Sequence, residues 1–242
     1  MGRAASLLKH RRAVAFFALA AALTAYYFAV DSIPGLPDWW DVALLGGALI
    51  PAVFMFDLIV LPLRRARGLL PLAAAFGVLA LLAELGDLEV LGNFAKLAAV
   101  TFFAFFFLHF FEELLLLVIV ALIVPWVDAY SVFRGPTGHI VEKHPDVFTN
   151  LSFAFPLPDH ETARLGLPDL LFFALYLAAA SRFRLRVGWT WLGMVAALGA
   201  TIAIAEWTAL SGLPALPALS AGFLVPNADR LWQLLRRPRS YF

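Results

Sequence analysis

The stretch from Phe94 to Phe133 is almost entirely Phe, Leu, Val, Ile and Ala, which is too long an apolar run for a soluble core. As one helix it would extend roughly 60 Å, about twice the hydrocarbon core of a bilayer. It is therefore read as two membrane spans, with a tight bend at His109, Glu112 and Glu113. Late in the second, within Ile123-Val124-Pro125-Trp126-Val127-Asp128-Ala129-Tyr130-Ser131-Val132-Phe133, stands a single carboxylate. A central Asp costs about 2.5–3.5 kcal/mol on insertion scales. Asp128 is thus expected to carry a function, the plain alternative being a neutral acid bonded to a neighbouring helix.

The rest of the 242-residue chain agrees with a membrane setting. Hydrophobic residues make up 62% and charged residues only 14%, with a mean hydropathy of +0.85, against a charged share of about 25% in soluble domains. The expected fold is an all-α, polytopic transmembrane bundle of about eight spans, forming one domain over residues 1–242. The spans read as Ala13–Val30, Val42–Leu63, Leu69–Ala83, one beginning near Gly92 or Phe94, Leu114–Phe133, Pro168–Arg182, Gly188–Leu210 and Leu213–Leu235. The first has about 18 apolar residues, longer than a signal-peptide core, and is read as a retained span. Residues 147–155 are β-prone enough for a strand in the long polar connection after the fifth span. The chain has no cysteine, which excludes disulfides, thiol catalysis and iron–sulfur clusters. The net charge of +1 gives no ground for a nucleic-acid partner, because the basic residues are spent on loops. No cofactor or metal is expected. Richness in Ala, Leu and Arg points to a prokaryotic plasma membrane.

With these spans, one face of the membrane collects Arg3, Lys9, Arg11, Arg12, Arg64, Arg65, Arg67, Arg182, Arg184, Arg186, Arg230, Arg236, Arg237 and Arg239. The other has only Lys96, Arg134, Lys143 and Arg164. Loop Lys and Arg set orientation, so both termini are expected in the cytoplasm and the Arg134–Leu165 loop outside it. Asp128 then lies near the outer end of its span and Asp169 at the outer start of the next. The turn Leu213-Pro214-Ala215-Leu216-Pro217 falls on the same side, and its two prolines predict irregular backbone at membrane depth, tolerated where it is buried or lines a wet cavity.

Taken together, Asp128 followed by Arg134-Gly135-Pro136, Leu165-Gly166-Leu167-Pro168-Asp169-Leu170, and Leu213-Pro214-Ala215-Leu216-Pro217 resemble the motifs of the presenilin and signal peptide peptidase family of intramembrane aspartyl proteases. The match covers residues 114–235 in order and span spacing; residues 1–113 match only as membrane helices and are read as scaffold. The resemblance implies that Asp128 and Asp169 are catalytic, and that Gly166, Leu167, Pro214, Ala215 and Leu216 bind substrate. The substrate it implies is a transmembrane peptide, locally unwound and added as an extended strand beside Pro-Ala-Leu and the chain before Asp169. The charge bias favours the signal peptide peptidase orientation, whose substrates run from cytoplasm to outside from their amino ends. Two residues depart from the family pattern: Val127 replaces the usual Tyr, and Pro168 replaces the second Gly of Gly-x-Gly-Asp. Pro168 suits a first helical turn and biases Leu167 toward an extended conformation, so a strand running into Asp169 is expected.

The chemistry explains why two acids are needed. One carboxylate takes a proton from water while a carboxylic acid polarises the scissile carbonyl, and two carboxyls at one site titrate as a coupled pair holding one proton. Other readings stay open: a catalytically silent homologue that binds membrane helices, or a proton-coupled transporter relaying through the same acids. Self-association is also open. Asp57 is read as a buried acid bonded across helices or facing a wet crevice, and His109, Glu112 and Glu113 as interfacial. Glu206 and Asp229 are likewise read as interfacial.

Overall fold

The computed structural model describes residues 2–35, 37–134, 149–208 and 213–236. Helix α1 covers Gly2–Ala29, and a second span is assembled from α2 (Asp38–Leu44), a π-turn at Leu45–Leu49 and α3 (Ile50–Val60). The π-turn carries Gly46, where a Cβ would stand 3.3 Å from the Cα of Gly199 packed against it. Gly68, at φ 85°, turns the chain into α4 (Leu69–Leu85), a conformation only glycine adopts without strain. Helix α5 (Glu89–Phe107) returns antiparallel to α4, starting earlier than Gly92 because Glu89 supplies an acidic first turn. The expected bend after it is real: a 3₁₀ turn at Leu108–Phe110 separates α5 from α6 (Leu114–Arg134).

Residues 135–148 lie outside the described residues, and with them Gly135-Pro136, Lys143 and the first residues of the expected 147–155 strand. The strand itself, β1, runs Ser152–Pro156 and pairs antiparallel with β2 (Thr162–Gly166), Ala154 opposite Arg164. Strand β2 passes directly into α7 (Leu167–Arg182), but the expected extended Leu167 is corrected: the strand stops at Gly166, which is the extended N-cap, and Leu167 is already the first helical residue. Helices α8 (Val187–Thr208), α9 (Leu216–Leu224) and α10 (Ala228–Arg236) complete the described chain.

The expected count of eight spans is corrected. Among the described residues five helical stretches are long and apolar enough to cross a membrane: His10–Ser32, Trp39–Arg65, Glu89–Phe110, Leu114–Arg134 and Val187–Ala205. Helix α4, with 17 residues, is a shorter apolar helix, and α7 has 16 residues because β2 occupies the chain before it. The segment read as an eighth span is broken: α9 stops after 9 residues at Val225-Pro226-Asn227, where the proline has no N–H to continue the ladder. Beyond it α10 has a polar side and is no span.

Helix α7 is the axis of the bundle, with Phe173 to Ala180 all fully buried. Phe173 stacks on Phe54 of α3 with ring centroids 3.8 Å apart, and the Trp191 indole N–H of α8 donates to the Phe54 carbonyl at 3.0 Å. Large apolar side chains such as Leu81, Leu85, Ile123, Trp126 and Trp207 point outward, the inverse of a soluble surface and the expected face toward lipid. Asp57 is fully buried and accepts from Thr101 Oγ1 of α5 at 2.8 Å, so of its two expected settings the cross-helix bond is the one found. One end of the bundle is closed by arginines. Arg182 donates to the Leu108 carbonyl at 2.7 Å, and Arg186 grips Asp229 through two 2.7 Å bonds that hold this exposed carboxyl below its ordinary pKa.

Candidate active site

Helix α6 touches the bundle along one narrow stripe. Leu117 and Ala121 are fully buried, Val124 is partly so, and Asp128 continues the same face at helical spacing. The stripe packs on α9, whose first backbone N–H, that of Leu216, donates to Asp128 Oδ2 at 3.1 Å. This donor is one of the orphans at a helix start, so the carboxylate caps α9 and lies at the positive end of its dipole. Ala215 is the N-cap and Pro217 falls in the first turn, where its missing N–H breaks no bond. Leu213 and Pro214 are non-helical, as the two prolines predict.

Asp169 is placed by different means. Gly166 is the N-cap of α7, in extended conformation at φ −62° and ψ 146°, and Asp169 is the third helical residue. Its carboxylate reaches back to accept the Gly166 backbone N–H, the reciprocal half of a capping box. A Cβ on Gly166 would stand 3.2 Å from Asp169 Oδ2 and 3.5 Å from Pro168 Cδ. The glycine thus leaves the space that the carboxylate occupies. Pro168 fits the first turn without disturbing this arrangement.

The two acids come to one depth. With a rise of about 1.5 Å per residue, Leu114 to Asp128 and Arg182 to Asp169 are each about 20 Å long, measured from the arginine-closed end. Both carboxylates are half-buried. Helix α9 joins them. It holds Asp128 at its start, and one turn on, Ser220 Oγ pairs with the fully buried Tyr176 hydroxyl of α7 at 3.2 Å. Tyr176 also stacks on Phe223, centroids 4.9 Å apart. Close approach of α9 to α8 depends on glycine: a Cβ on Gly222 would lie 2.6 Å from the Met194 nitrogen.

The hairpin before Asp169 has two unlike edges. On β1, Ala154 N–H donates to Asn93 Oδ1 at 2.8 Å, and its carbonyl accepts from Asn93 Nδ2 at 2.8 Å and Tyr27 at 2.6 Å. Tyr26 donates to the Pro156 carbonyl at 2.9 Å. Since Ala154 points away from β2, its partner Arg164 points away from β1, and the alternation puts the main-chain groups of Thr162, Arg164 and Gly166 on the outer edge of β2. Bonds from Leu167 N to Leu151 O and from Leu157 N to Glu161 O confirm this phase.

All seven site residues expected from the sequence, Asp128, Asp169, Gly166, Leu167, Pro214, Ala215 and Leu216, therefore lie at one end of the bundle. Asn93, Tyr26, Tyr27, Tyr176 and Ser220 were not anticipated. Their one sequence signal is a polar group interrupting an apolar helix. No group of three or more metal-ligating side chains occurs among the described residues. No protein-family model, no curated protein and no solved structure matches the chain.

Proposed function

We propose that this protein is an intramembrane aspartyl protease, related to presenilins and signal peptide peptidases, that hydrolyses peptide bonds within transmembrane segments. The observation that carries the reading is the placement of Asp128 and Asp169 at one depth on separate helices, with Leu216 of the Pro-Ala-Leu turn bonded to Asp128. In the proposed reaction the dyad holds one proton. The ionised carboxylate removes a proton from water as the water oxygen bonds to the scissile carbonyl carbon, and the protonated partner donates to the carbonyl oxygen. Collapse of the gem-diol breaks the C–N bond, and the amine leaves with a proton returned by the dyad. No cofactor is required.

A helical substrate has its carbonyls tied up, so it must be cut as an extended strand. The outer edge of β2 leads straight to Asp169 and offers the Arg164 N–H and C=O for such pairing. Purified protein in detergent, given a panel of transmembrane peptides, tests the activity. Failure of every peptide to be cut, with ion flux across liposomes that depends on Asp128, would favour the transporter reading instead.

Two further outcomes are expected. Pro168→Gly restores the usual family pattern and raises the rate or widens the product set by about two- to fivefold, the scale of freeing one residue's backbone. Unchanged rate and products would identify Pro168 as the start of α7 and nothing more. The proposed orientation is read with single cysteines, since the chain has none of its own. An impermeant thiol reagent on intact cells labels Glu161→Cys and spares Arg67→Cys, both positions being exposed. The reverse pattern inverts the topology and the substrate direction with it.

A further inference from the structure

Asn93 sits near the start of α5 with 7% of its surface exposed, in a helix whose other buried side chains are mostly apolar. Its amide does what a neighbouring β-strand would do. Oδ1 takes the outward N–H of Ala154 and Nδ2 serves the outward carbonyl of the same residue, each at 2.8 Å. Nδ2 also reaches the Tyr27 hydroxyl at 3.2 Å, so one amide organises the second donor to that carbonyl. Farther along, Pro156 has no N–H to offer, and its carbonyl is occupied by Tyr26. From Ala154 to Pro156 the edge of β1 is thus fully satisfied by side chains from α1 and α5. Edge strands are open templates unless something occupies them.

We infer that Asn93 is a positioning residue that acts as a one-residue surrogate strand, closing β1 so that an incoming extended peptide can pair only with β2, the strand that ends at Gly166, three residues before Asp169. The inference rests on the proposed function for the identity of the peptide alone. A two-stranded hairpin is marginal in water. Anchored at Ala154, it is in place before any peptide arrives, so the ordering cost is met in advance and the added strand has one register to find. An open β1 edge would present a second, competing template on the side of the sheet away from the catalytic strand.

The experiment uses full-length protein in detergent, with Asn93→Leu, of similar size and without polar atoms, and the milder Tyr27→Phe. Hydrogen exchange in the absence of peptide is expected to accelerate over Ser152–Pro156 in Asn93→Leu, and less so in Tyr27→Phe, with α7 unchanged. A transmembrane peptide bearing a photocrosslinker, bound to Asp169→Asn protein, is expected to mark β2 alone, and both strands once Asn93→Leu is added. If the peptide is cleaved, kcat/KM falls about tenfold in Asn93→Leu, through KM more than kcat, the scale of two lost hydrogen bonds. Unchanged exchange over β1, or crosslinks confined to β2 in the double variant, overturns the inference. Should no peptide be cut by the wild type while exchange and crosslinking behave as expected, the protease reading falls and the surrogate strand stands.

Discussion

Replacement of Asp128 or Asp169 by Asn, one at a time, is expected to lower peptide hydrolysis by about 10²–10⁴-fold, the usual contribution of a positioned proton-transfer group. The two positions are equivalent in this respect because, in the proposed reaction, each acid has a task the other cannot take over within one turnover. Asn is also a fair probe of chemistry as distinct from folding. Its amide oxygen can still accept the Leu216 N–H at position 128 and the Gly166 N–H at position 169, so the contacts that seat α9 and start α7 survive. Initial rates measured beside helix content and elution volume separate the two effects. Substantial cleavage retained by both single variants would remove the aspartyl mechanism.

The second large effect is structural and reaches the same site from outside it. A Cβ at Gly222 would stand 2.6 Å from the Met194 nitrogen and 2.7 Å from the Gly193 carbon and oxygen. These are main-chain atoms, so no rotamer change relieves the clash and α8 and α9 must part. Overpacking of this kind costs typically about 1–3 kcal/mol, occasionally more, and Gly222→Ala belongs at the upper end. Movement of α9 would carry Leu216 away from Asp128 and Ser220 away from Tyr176. A lowered unfolding temperature and a loss of cleavage are expected together. Gly77→Ala is the control: nothing lies within 4 Å of its Cβ, and removing a helical glycine stabilises by about 0.8–1.0 kcal/mol. Equal thermal stability for the wild type and Gly222→Ala would mean that the α8–α9 contact is looser than described.

The sequence reveals some of this arrangement for definite reasons. Asp128 is conspicuous because a carboxylate in an apolar run has no ordinary explanation, and the prolines around Ala215 mark non-helical backbone by covalent structure alone. The break at His109 follows from length. The span count fails because hydropathy reads composition, whereas helix length is set by neighbours: β2 uses the residues that would have lengthened α7, and Pro226 stops α9 inside a segment that is apolar up to that point. Asn93 and Ala154 are separated by 61 positions, and Tyr176 and Ser220 by 44. Such pairings depend on how helices assemble, and no local pattern encodes them.

The shortness of α7 leaves Asp169 at its very start, whereas α6 runs on past its own acid. Its neighbour α6 continues from Asp128 to Arg134, about 9 Å farther along the bundle axis. The Asp128 carboxylate therefore lies nearly two turns short of the end of its own helix. Under the proposed function, a peptide approaching Asp128 along α6 would have to pass this overhanging stretch, which a thin extended strand does more readily than a helix.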